Sequence, residues 1–123
     1  MNIQRHGIIL NTENYDACVA FYRDLFKLPV LQEKEDGDFR LTCFEYGNAY
    51  LMVETEGIAL SREKTIAENP TKLRFNVDDI EKALQSVIAY GIEAKIERYD
   101  WGDTINICDP DGNRVGIRDQ QSF

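Results

Sequence analysis

The chain has 123 residues, 43% hydrophobic and 29% charged, with a formal net charge of −8 at pH 7. That length holds one domain, or two small modules sharing a core, and the composition is that of a folded chain rather than a disordered one. The acidic balance argues against sequence-independent nucleic-acid binding, which needs Lys and Arg to neutralise phosphates, and no apolar run approaches the ~20 residues that span a bilayer.

The opening stretch, MNIQRHGIIL, has neither a long apolar core nor a small-residue cleavage site, so the expected location is the cytoplasm. His6 to Asn11 is an apolar run of strand length, and Thr12, Asn14 or Asp16 is placed to cap a following helix. From Tyr15 to Phe26, residues Cys18, Phe21, Tyr22, Leu25 and Phe26 recur at spacings of three and four, which predicts an amphipathic helix ended by Pro29. Val30 to Glu35 reads as a strand, Asp36-Gly37 as a turn, and Phe39 to Tyr46 as an alternating strand. After Gly47-Asn48 a further strand runs from Ala49 to Thr55. Between Glu56 and Thr71 the periodicity is lost, which predicts a solvated connection.

The order then repeats. Leu73, Phe75 and Val77 alternate in a strand, and Asp78 or Asp79 caps a helix whose buried face is Ile80, Ala83, Leu84, Val87 and Ile88. Gly91 stands where a C-terminal cap belongs, and Glu93 to Tyr99 predicts a strand. Tyr99 to Asp119 is a strand–turn–strand around Asp109-Pro110-Asp111-Gly112-Asn113, with Ile105, Ile107, Val115 and Ile117 marking one face. Each half is thus β-α-β-β-β, with module one at about 1–56 and module two at about 71–119 of a single domain. His6 and Lys72 stand at equivalent places, 66 residues apart. The expected fold class is α+β, two tandem βαβββ modules forming curled mixed sheets around a cleft. Open sheet faces need cover, so a homodimer is the expected assembly. Cys18, Cys43 and Cys108 are odd in number and outside any CxxC spacing, which indicates neither a disulfide framework nor a zinc site.

With these elements placed, the chain resembles the vicinal oxygen chelate superfamily, which includes glyoxalase I, extradiol dioxygenases, fosfomycin-resistance enzymes and bleomycin-binding proteins. The resemblance rests on His6 opening the first strand, FYRDLF at Phe21 to Phe26, LRFNVDDIEKAL at Leu73 to Leu84, and DPDGNRVGIRD at Asp109 to Asp119. It implies an active site in the cleft of the curled sheets. Metal-dependent members use four side chains, one on the first and one on the last strand of each module. In this sequence those positions match His6, then Met52 or Glu54, then Lys72, then Gly116. A protonated lysine is a poor ligand and glycine has no side chain, so His6 and Glu54 are the only metal candidates. No metal cofactor is expected on that count, with a divalent metal as the alternative.

Strand alternation puts Lys72, Arg74 and Asn76 on one face and His6, Ile8 and Leu10 on another. If the resemblance holds, both faces look into the cleft together with Met52, Glu54, Gly116 and Arg118. Trp101-Gly102 resembles the pair found in bleomycin-binding members, where the ring stacks on a flat ligand. The resulting reading is a binding protein for a small organic molecule, with His6, Met52, Glu54, Lys72, Arg74, Trp101 and Arg118 as ligand-binding residues. Whole-chain charge favours a cationic ligand. The local Lys and Arg side chains favour a carboxylate or phosphate, and for a pocket the local groups decide. The alternative is a metal-dependent lyase, isomerase or dioxygenase in which a carboxylate such as Glu54 moves the proton.

Overall fold

Each half of the computed structural model, which describes residues 1–123, folds as a strand, a helix and three further strands. The first unit, Met1–Leu60, contains β1 (Gly7–Asn11), α1 (Tyr15–Ala20) continued by a π-helical turn at Phe21–Leu25, β2 (Val30–Asp36), β3 (Phe39–Tyr46) and β4 (Ala49–Glu54). The second, Ser61–Phe123, contains β5 (Leu73–Val77), α2 (Ile80–Tyr90), β6 (Glu97–Tyr99), β7 (Gly102–Cys108) and β8 (Arg114–Asp119). The sheets run β1-β4-β3-β2 and β5-β8-β7-β6, the same order in each module. In both, the first strand is parallel to the fourth and the other pairings are antiparallel. The fold is therefore α+β, with two tandem βαβββ modules.

Burial of one sheet face against one helix builds each core. In the first unit Cys18, Phe21 and Tyr22 of the helical segment are closed to solvent, as are Phe44, Leu51 and Val53 of the sheet. The Tyr15 hydroxyl shares a hydrogen bond of 2.5 Å with the buried Thr42 hydroxyl, which fixes α1 on that face. In the second unit Leu73, Val115, Ile117, Ile105 and Ile107 pack on Ile80 and Val87. The ends of α2 follow its sequence signals: the Asp79 carboxylate accepts the Lys82 N–H at 3.0 Å, and Gly91 closes the helix at φ 105°. At α1 the capping expectation does not carry over. Asn14 stands at the N-cap without a side-chain bond, and Thr12 instead donates its hydroxyl to the Glu54 carbonyl at 2.8 Å.

One further reading needs correction. The strand expected over Glu93 to Tyr99 pairs only at Glu97–Tyr99. The stretch Glu56 to Thr71 is largely exposed, as expected of a solvated connection, except at Lys64, which is buried in the second unit, donating its Nζ to Asn113 Oδ1 at 2.9 Å and its N–H to the Gly112 carbonyl at 2.9 Å.

The register also settles which residues share a face. Directly paired residues point the same way, so a one-residue slip exchanges the two faces of a strand. In β1 the pairs are Gly7–Tyr50, Ile9–Met52 and Asn11–Glu54, whereas Leu10 pairs with Val53 on the face that holds Thr42 and α1. The open face of the first unit thus carries Gly7, Ile9 and Asn11 beside Met52 and Glu54. His6 lies one residue before β1, in step with Ile8 and Leu10, and its carbonyl accepts the Tyr50 N–H at 3.1 Å. The expectation that His6 shares a face with Met52 and Glu54 fails for that reason. In the second unit Arg74 pairs with Gly116 and Asn76 with Arg118, on the face opposite α2.

Candidate functional site

The open face of the second sheet gathers its polar side chains around Gly116. A methyl group built on Gly116 would lie 2.9 Å from Arg74 Nε and 3.0 Å from Lys72 Cε, so both cationic chains fold across the glycine. Glycine is what the site requires here, since any side chain would push them off the sheet. Arg114 joins them from the same strand as Gly116, two residues earlier, and donates a guanidinium N–H to the Asn69 carbonyl at 3.0 Å. Lys72 Nζ donates to Asn106 Oδ1 at 2.7 Å, and Asn106 Nδ2 donates to Glu97 Oε2 at 2.5 Å. Register explains the row: Asn106 pairs with Gly116, and Cys108 with Arg114.

Electrostatics follow from this crowding. Burial first, then the Arg74 and Arg114 guanidinium groups, lower the pKa of the Lys72 ammonium from its ordinary value. Burial and the neighbouring Glu63 carboxylate push the Cys108 thiol up to about 11. The thiol therefore stays protonated near neutral pH, with Glu63 Oε1 3.7 Å from its sulfur. The arrangement presents cationic donors to an anion, flanked by the carboxylates of Glu63 and Glu97.

Arg118 and Trp101 are placed differently from the cluster. Arg118 is only 7% exposed. Its guanidinium stands 4.7 Å from the centre of the Trp101 ring and donates to the carbonyls of Trp101 and Ser122. Tyr99 stacks on the same indole, centroids 4.8 Å apart and planes 8° from parallel. Both residues thus brace the β6–β7 turn. Gly102, at φ 137°, leaves the room Arg118 needs: a methyl group there would meet its guanidinium at 2.5 Å.

The metal implied by the resemblance needs three or four converging donors. The open face of the first unit offers Asn11, Met52 and Glu54, and that of the second offers chiefly cations, which repel a divalent ion. No group of three or more His, Cys, Asp or Glu side chains is positioned for a metal. The residues of neither face fit the ion. The sequence reading missed Asn106, Glu97 and Arg114, whose signal was present in the alternation of Asn106 and Cys108 against Ile105 and Ile107.

Comparison with known proteins now adds a decisive match: the model of the glyoxalase-like domain family covers residues 6–121. The chain belongs to the glyoxalase-like family. Solved structures share its fold at low identity. A lactoylglutathione lyase from Agrobacterium tumefaciens is similar at TM-score 0.71 and 21% identity, covering 100% of this chain and 98% of its own. The fosfomycin resistance protein FosX of Listeria monocytogenes, as an E126Q mutant complexed with Mn(II) and 1S,2S-dihydroxypropylphosphonic acid, is similar at 0.75 and 15%, covering 99% and 98%. TnmS3, an antibiotic binding protein from Streptomyces sp. CB03234, is similar at 0.71 and 14%, covering 96% of each chain. No curated protein sequence matches this glyoxalase-like chain. None of its helices is long and apolar enough to cross a membrane.

Proposed function

We propose that the protein binds a small organic molecule through an anionic group, a carboxylate, phosphate or phosphonate, on the open face of the second sheet. The observation that carries this reading is the convergence of Lys72 and Arg74 over Gly116, with Arg114 beside them. Charge-assisted hydrogen bonds from such a cluster are each worth about 1.5–3 kcal/mol. Titration calorimetry with lactate, succinate and methylphosphonate should detect binding that weakens about tenfold in Arg74→Ala, the loss of one such bond. Absence of heat with every one of them, or unchanged affinity in the variant, would overturn the reading.

The same reading includes a cytoplasmic homodimer. Cys18, Cys43 and Cys108 form no disulfide, which suits a reducing compartment. Ile9, Val30 and Leu31 are 56, 41 and 46% exposed on the strands of the first unit, apolar area that a second copy would cover. Sedimentation at micromolar concentration should return twice the chain mass; a monomer there would remove the second copy from the proposal.

A further inference from the structure

Among the groups of the cationic cluster, Lys72 differs in kind. Arginine stays protonated and can only hold an anion, whereas a lysine amine freed of its proton is a nucleophile. The Lys72 side chain lies over Gly116 beside Arg74, and its Nζ rests on Asn106 Oδ1, which leaves its other two positions open. Asn106 in turn holds the Glu97 carboxylate close to the amine. An anionic group held by Arg74 would bring whatever is bonded to it against Lys72 Nζ.

We propose that Lys72 captures the carbonyl carbon of a 2-oxo acid as a protonated imine, while Arg74 holds the adjacent carboxylate. In the step, the neutral amine attacks the carbonyl and forms a carbinolamine. The carbinolamine then loses its hydroxyl as water, the N=C bond replacing the C–O bond. The lysine ammonium and the carbonyl compound thus give one iminium and one water, with no oxidant or reductant. The ammonium proton leaves to solvent before the attack and a solvent proton returns to the departing hydroxyl, while the Glu97 carboxylate, held by Asn106, offsets the positive charge of the intermediates. Burial, with Arg74 and Arg114 beside it, lowers the proton affinity of Lys72 and so raises the share of free amine relative to an exposed lysine. The resulting iminium keeps the positive charge that the flanking carboxylates balance.

This inference rests on the anion-binding reading, and the test separates the two. Purified protein is incubated with pyruvate and sodium cyanoborohydride, and the adduct is located by peptide mass mapping. One reduced adduct at Lys72 is expected, with Lys27, Lys34, Lys82 and Lys95 unlabelled at the same dose. Lys72→Arg should abolish it, and Arg74→Ala should slow it about tenfold. Labelling at Lys72 should also persist to lower pH than labelling of the surface lysines. Lactate, which has the carboxylate but no carbonyl, is titrated in parallel. Binding of lactate and pyruvate without trapping, or trapping spread evenly over the lysines, overturns the imine and leaves the anion site. Failure of both ligands to bind overturns both.

Discussion

Asp109→Ala should destabilise the protein by about 3 kcal/mol or more, read as a drop of roughly 1–2 M in the urea midpoint. Asp109 is buried at the turn between β7 and β8, and its Oδ1 accepts the N–H groups of Asp111 and Asn113, each at 2.9 Å. Its Oδ2 accepts Asn113 Nδ2 at 2.9 Å. Alanine would leave three buried donors without that acceptor, and desolvated donors are costly to strand. The damage extends outward, because Asn113 Oδ1 also receives Lys64 Nζ and Asn69 Nδ2, each at 2.9 Å. Asp109→Asn keeps one acceptor oxygen and should fall between wild type and alanine. A midpoint for Asp109→Ala within a few tenths molar of wild type would show that the turn holds without its carboxylate.

Phe44→Ala should cost about 3–5 kcal/mol, the range for emptying a large aromatic site. Phe44 is fully buried in β3, in register with the equally buried Leu51 of β4, on the face that receives α1. A 60-residue unit has little apolar area in reserve, and total stabilities of about 5–15 kcal/mol leave little margin for such a loss. Thermal melting should show a fall of at least ten degrees or no folded baseline at all, using about 4–8 °C per kcal/mol for small domains. A shift of only a degree or two would mean that the neighbouring chains collapse into the space. Phe44→Leu, which retains most of the volume, should recover the larger part of the loss.

Much of the fold was legible because its signals are local. Alternation over Ile105, Ile107, Val115 and Ile117, the Asp79 cap, the Gly91 stop and the DPDGN turn each depend on a few adjacent residues, and each appears where its chemistry puts it. The α1 cap was misread because Thr12, Asn14 and Asp16 are all chemically able, and tertiary contact chose a different use for Thr12. The first strand was illegible for another reason. Ile8, Ile9 and Leu10 are apolar on both faces, so the pattern states a period without stating which set meets the helix. Docking of α1 through Tyr15 and Thr42 decides it. The cationic cluster was half visible: Lys72 and Arg74 follow from alternation, but Arg114 and Asn106 reach them only through strand pairing. Lys64 looked solvated because its partners, Gly112 and Asn113, lie almost fifty residues downstream.

The offset of β1 has an evolutionary consequence. Counted along the chain the two halves repeat at 66 residues, but that interval aligns Gly7, on the open face, with Leu73, on the helix face. In the coordinate that matters to a ligand the interval is odd: 65 residues bring Gly7 onto Lys72. A duplicated module that loses one residue ahead of its helix therefore trades the open-face set of its first strand for the helix-face set, with Gly7 and Ile9 taking the core places of Ile8 and Leu10. A single-codon deletion between Asn11 and Tyr15 would advance the strand by one step and bring His6 opposite Tyr50, beside Met52 and Glu54. Tyr50 guards that exchange, since its ring already covers Gly7 where a new side chain would have to stand. The present strand is thus one deletion and one aromatic substitution away from a strand that turns its imidazole to the open face, a short mutational distance.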